Sequence, residues 1–358
     1  MTLLKEAFNF FRRERVWTLL LLFLVVVYAV ISSTPARKTP PSPSKTLQKF
    51  ERSEAKLKDQ LRASGNIRQF LSARPALLWT FNLFTFLLVL ALLVGLVFDI
   101  LWLTRPAWRK RFQPSTGPPQ VPSWGLGTIL KTILLFILLS LSLSILIALL
   151  KSIFFEQSRT PLVLLIHTFL SDLLCIGIAI YFIRRNGGDW RDLGLRGSQL
   201  LKNLGLGLLG YLAILPVFLF VLLLLVVVAG LFSYEPPPHP LVEVFLEGEH
   251  SPGLIAYSLF LACVAGPFFE EIFFRGFFYP VFKKRWGVGW ALVLSAGFFA
   301  LIHQNLFAFF PIFVLGIGLG YLYEKTGTLV PSMALHILHN SIFIAYFFLA
   351  KEVLSGVL

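Results

Sequence analysis

Charge is scarce in this chain. Only 14% of its 358 residues are charged and 56% are hydrophobic, whereas an ordinary soluble domain is about 25% charged and about 45–50% apolar. A large soluble core does not explain the excess: core burial needs no uninterrupted apolar run longer than about 18 residues, and such runs recur here. Acidic residues are scarcer still, 18 against 32 Lys and Arg, for a formal net charge of +14. In a soluble protein that surplus would suggest nucleic acid as a partner, but here the Lys and Arg sit mostly between apolar runs, where loop placement and anionic lipid headgroups account for them better. Cysteine is nearly absent. Cys175 and Cys263 both fall inside apolar runs, which indicates neither a disulfide framework nor a cysteine metal site. No small-x-small cleavage site follows the first apolar stretch, Val16 to Ile31, so it reads as an uncleaved membrane helix behind Lys5, Arg12, Arg13 and Arg15. No internal repeat is visible, which weighs against an ion-coupled transporter built from paired halves.

What is present is the pattern of an all-α, polytopic membrane helix bundle. About nine spans of roughly 20 apolar residues are expected near 16–32, 77–103, 128–150, 161–183, 203–232, 253–279, 288–304, 306–323 and 329–350. The 37 Phe residues suit lipid-facing surfaces. Basic loops follow the second span (Arg105, Arg109, Lys110, Arg111), the fourth (Arg184, Arg185, Arg191, Arg196, Lys202) and the sixth (Lys283, Lys284, Arg285). The loop before the sixth carries Glu235, Glu243, Glu247 and Glu249, with His239 and His250 expected to be solvated. This alternation puts the N-terminus in the cytoplasm and the C-terminus outside. The expected setting is multi-pass in a bacterial cytoplasmic (inner) membrane, with membrane lipid as a partner.

Pro114, Pro118, Pro119 and Pro122 punctuate a boundary near residue 120. Residues 1–120 read as an N-terminal membrane hairpin and 121–358 as the main helix bundle. Inside the hairpin, Thr34 to Ser44 reads as an extended Pro/Ser/Lys linker. Leu47, Phe50, Leu57 and Leu61 then recur at helical spacing, as in an amphipathic helix on a membrane or partner, or in a solvated arm.

Three apolar runs carry the polar groups that matter. The sixth contains Glu270, Glu271 and Arg275. Charges at membrane depth are expensive, so function is the default reading and a structural charge network the alternative. Glu271 and Arg275 stand at i, i+4 with the acid first, the favourable order for a helix ion pair. Glu270 lies about 100° around the helix and is the freer carboxylate, able to serve as a base. The seventh run ends on Phe299 and His303. If spans six and seven are antiparallel around 283–287, Glu270 and His303 stand roughly 22 and roughly 25 Å above that turn, at one level. The ninth run holds His336, His339 and Asn340; geometry alone does not choose between the two histidines. A His and an Asn pointing together could stabilise an oxyanion, or simply bond between helices. Gly316, Gly318 and Gly320 read as a small-residue packing face. His167, Asp172 and Asp99 read as structural.

In order, these segments resemble the CPBP family of intramembrane proteases (CAAX prenyl endopeptidases and bacteriocin-processing proteins, also called Abi). The resemblance rests on E-E-x-x-x-R at Glu270, Glu271 and Arg275, F-x-x-x-H at Phe299 and His303, and H-x-x-x-N at His336 and Asn340, and spans about residues 190–350. It implies a CPBP-like core and hydrolysis of a peptide or protein substrate within the membrane. Glu270 and His303 would activate a water, and His336, chosen over His339, with Asn340 would hold the oxyanion. Family members are often labelled metalloproteases. Glu270, His303 and His336 offer ligand types that a divalent metal such as zinc accepts, although no H-E-x-x-H is present. A non-catalytic scaffold or immunity protein of the same fold is the competing reading.

Overall fold

The structure is a computed structural model that describes residues 3–33, 74–111, 119–154, 160–197, 199–234 and 252–355, together with positions 52, 55, 56, 59 and 245. The Pro/Ser/Lys linker, the amphipathic positions Leu47, Phe50, Leu57 and Leu61, the four acidic loop residues, and His239 and His250 lie outside the described residues. Among the described residues there is no strand, as the apolar periodicity requires. Twelve α-helices are named here in chain order: α1 Leu3–Arg13, α2 Arg15–Ser33, α3 Pro75–Thr104, α4 Pro106–Arg111, α5 Leu126–Phe154, α6 Thr160–Arg185, α7 Leu200–Leu231, α8 Pro252–Phe260, α9 Gly266–Glu271, α10 Tyr279–Ile302, α11 Leu306–Thr326 and α12 Val330–Ser355.

Seven helical runs among the described residues are long and apolar enough to cross a membrane, and the chain is an integral multi-pass membrane protein. One of the seven, Pro252–Ile302, is 51 residues long and contains both the sixth and seventh expected spans. They are divided at Gly287, whose φ of 79° and ψ of 175° suit only a residue without a Cβ. The chain folds back there: Phe278 touches Phe298, Phe274 touches Phe299, and Ser295 Oγ donates to the Phe274 carbonyl at 3.0 Å. The antiparallel pairing expected around 283–287 is therefore present. The first expected span is the shorter apolar helix Arg15–Val30.

Two compact units divide the chain. The first comprises residues 1–42 and 121–192 and contains α1, α2, α5 and α6. Here Lys131 of α5 donates to Glu14 at 2.6 Å and sits 5.8 Å from the rings of both Phe10 and Trp17. Trp17 in turn meets Phe182 of α6 edge-on. His167 shares a hydrogen bond with Ser144, an interhelical contact of the kind expected for it.

The second unit comprises residues 43–120 and 193–358. Its helix α7 packs against α3, α11 and α12, and α11 packs against α10 and α12. Tyr211, Leu215, Phe218, Phe274, Phe299, Leu315, Leu319 and Leu335 form the buried cluster where these helices meet. Lipid tails are as apolar as these side chains, so close packing and hydrogen bonds, more than escape from water, hold such a cluster together. At one end of the unit, Glu324 of α11 accepts from Tyr279 at 2.9 Å and from Lys283 at 2.8 Å, both on α10. Leu329 N–H donates to Gly194 O, and Thr328 Oγ1 to Arg196 O. Arg196, Lys283 and Lys325 thus share one end with the turn at Gly287.

Candidate active site

The E-E-x-x-x-R segment does not lie in a regular α-helix. Helix α9 is only six residues long and ends on Glu271; π-helical segments Leu261–Ala265 and Ile272–Phe278 flank it. Such segments are rare and occur often at functional sites. Nothing in the apolar periodicity signalled them.

Glu271 and Arg275 have side chains with no solvent exposure and pair at 2.8 Å between Oε1 and Nη1, as the i, i+4 spacing predicted. The second guanidinium nitrogen of Arg275 donates to Gly316 O on α11 at 3.2 Å. Its carbon lies 4.5 Å from the centre of the Phe299 ring. A buried cation is tolerable when paired, hydrogen-bonded and set over an aromatic face, and Arg275 has all three.

Glu271 has a further partner that the spacing did not reveal. His336 Nδ1 lies 2.9 Å from the same Oε1. A carboxylate ionised beside an arginine only accepts, so Nδ1 carries the proton. The other imidazole nitrogen, Nε2, then faces Glu270 Oε2 at 3.5 Å. His336 is therefore held between the two acids of the motif, although 65 residues separate it from Glu271. The Glu270 side chain is 29% exposed and that of Glu271 is fully buried; Glu270 is the accessible carboxylate.

His303 closes α10. Its Nδ1 lies 2.8 Å from Phe299 O, and because a carbonyl can only accept, Nδ1 donates and Nε2 keeps its lone pair in the neutral ring. The ring of Phe299 is 5.0 Å from that of His303 and 5.5 Å from that of His336, edge-on to both. One buried phenyl thus adjoins both histidines and Arg275. Asn340 Nδ2 donates to Ala262 O in the first π segment at 2.9 Å, using one of its two amide hydrogens. His339 points elsewhere, into the rings of Tyr211, Phe218 and Phe343.

Among the described residues no group of three His, Cys, Asp or Glu side chains is placed to hold a metal ion. Both histidines bond through Nδ1, His336 to Glu271 and His303 to Phe299 O, which leaves Nε2 of each as the nitrogen that could meet a metal. Glu270, His303 and His336 offer donors of the right type but are not gathered into such a group here.

Gly316 also takes part in the site. A Cβ at this position would lie 2.9 Å from Ala296 Cβ. Glycine lets α11 approach α10 and brings the carbonyl within reach of Arg275.

Residues 252–342 match the family described as type II CAAX prenyl endopeptidase, Rce1-like. The matched stretch contains Glu270, Glu271, Arg275, His303, His336 and Asn340, and it supports a CPBP-family intramembrane protease, as the three motifs implied. No curated protein and no solved structure matches the chain.

Proposed function

We propose that this protein is an intramembrane endopeptidase that hydrolyses a peptide bond with a water activated by Glu270 and His303. The observation that carries the reading is the accessible Glu270 carboxylate beside a fixed imidazole, against a wholly buried Glu271–Arg275 pair.

Glu270 would take the proton of the attacking water as its oxygen bonds to the scissile carbonyl carbon. His303 Nε2, its lone pair fixed by the bond to Phe299 O, would accept a hydrogen bond from the water's other O–H and aim it. The carbonyl oxygen becomes an oxyanion facing His336 Nε2, which donates to it when the ring carries a second proton, and the second amide hydrogen of Asn340. A buried donor of this kind contributes about 2.7–4 kcal/mol to the transition state. Glu271 would hold His336 upright and stabilise it when protonated, the part an acid plays behind a catalytic histidine. Glu270 would then return its proton to the leaving amine, and the bond between carbonyl carbon and nitrogen breaks.

In this proposal the setting is a bacterial cytoplasmic membrane and the substrate a peptide or protein that reaches Glu270 from the lipid or its edge.

The test is a purified preparation in detergent offered a panel of fluorogenic peptides, including a farnesylated C-terminal peptide and unmodified single-span peptides, in water enriched in ¹⁸O. Wild-type protein should cleave at least one and place ¹⁸O in the new carboxylate. Glu270→Gln should slow cleavage by about 10²–10⁴-fold, the contribution of a general base, while keeping the wild-type melting temperature. Full cleavage by Glu270→Gln would overturn the assignment.

A further inference from the structure

The first compact unit carries a groove that the proposed chemistry does not use. It runs along one stripe of α6: Leu170, Leu173, Leu174, Gly177 and Tyr181, with Leu135 of α5 on its flank, as a shallow, open depression of about 480 Å³. A second hollow of about 500 Å³ continues from Gly177 and Tyr181 to Arg184 and Arg185. The spacing of these positions by three and four keeps them on one helix face. The groove is therefore apolar along its length and doubly cationic at one end.

We infer that this groove binds an anionic diacyl phospholipid, with one acyl chain along α6 and the phosphate between Arg184 and Arg185. Four observations support it. Leu170, Leu173 and Tyr181 are exposed, so the apolar floor is open to lipid. From Leu170 to Tyr181 the helix rises about 16 Å, close to the depth of one leaflet of a hydrocarbon core about 30 Å thick. The guanidinium groups therefore stand at headgroup level. Arg185 is already aimed: its Nη1 donates to Tyr181 Oη at 3.2 Å and its guanidinium lies 5.9 Å from that ring. Among the described residues no carboxylate forms an ion pair with Arg184 or Arg185. Their charge is left for a ligand, and clustered basic side chains at headgroup level attract anionic lipids.

Gly177 supplies a clean probe. A Cβ there meets nothing within 4 Å, so the side chain of Gly177→Leu starts into the groove from an uncrowded position, and the change replaces a poor helix former. The experiment is native mass spectrometry of the full chain released from micelles doped with equal amounts of phosphatidylglycerol and phosphatidylcholine carrying the same two chains. Wild-type protein should retain phosphatidylglycerol at least five-fold over phosphatidylcholine. Arg184→Gln combined with Arg185→Gln should abolish that preference, and Gly177→Leu should lower retention of both lipids. Equal retention of the two lipids by wild-type protein would overturn the inference, and wild-type protein alone decides that question if a variant does not fold. An unchanged preference in the double arginine variant, or release of the lipid by inorganic phosphate at millimolar concentration, would overturn it as well.

Discussion

Arg275 is where the site is most sensitive to a single change. Its guanidinium joins the Glu271 carboxylate, the Gly316 carbonyl and the Phe299 ring. Removing one partner of a buried ion pair leaves the other uncompensated, at about 3–5 kcal/mol. Arg275→Leu should therefore lower the melting temperature of the purified protein in detergent and abolish cleavage with it. If the variant melts like wild type and only activity falls, Arg275 acts on the reaction and not on the scaffold. Glu271 and Arg275 were legible as a pair because four residues of helix bring side chains together wherever they occur. The motif made His336 a candidate, but its bond to Glu271 was not legible. That contact depends on how α12 packs against α9, and a sequence spacing of 65 residues holds no geometric signal. The carbonyl of Gly316 was equally invisible, since a backbone atom leaves no mark on residue identity.

At the scale of elements, the separation of α10 and α11 sets the height of that carbonyl. A Cβ at Gly316 would lie 2.9 Å from Ala296 Cβ and 3.0 Å from its Cα, so Gly316→Val must push the two helices apart. Overpacking of this kind destabilises by about 1–3 kcal/mol. Gly316→Val should lower both melting temperature and cleavage, and Ala296→Gly in the same chain should restore part of each; failure of the second change to restore either would show that the strain lies elsewhere. The helices themselves were readable from apolar run length. The hairpin within 252–302 was placed by its basic turn, where Gly287 supplies the positive φ. The two π segments escaped, because one extra residue per turn over five to seven residues hardly changes the apolar pattern of a helix that is buried or lipid-facing on every side.

For the whole molecule, the structure sets a topology that can be measured. The turn at Gly287 and the turn between α11 and α12 share one end of their unit, tied together by the bonds of Glu324 to Tyr279 and Lys283. Helix α12 then runs to the other end. Basic loops favour the cytoplasm. In a background of Cys175→Ser and Cys263→Ala, a cysteine placed at Arg285 should react with an impermeant maleimide only from the cytoplasmic side, and one placed at Glu352 only from the opposite side. Labelling of both from the same side would mean that α12 does not cross.

In the proposed reaction Glu270 and His303 serve one water. Groups that act as a unit give non-additive losses when removed. Single-turnover cleavage should be measured for Glu270→Gln, His303→Ala and the double variant, each against wild type. Each single change should cost about 10²-fold or more, and the double variant should be no slower than the slower single. Losses that multiply in the double variant, or full activity in either single, would mean that the two side chains do not share the reaction.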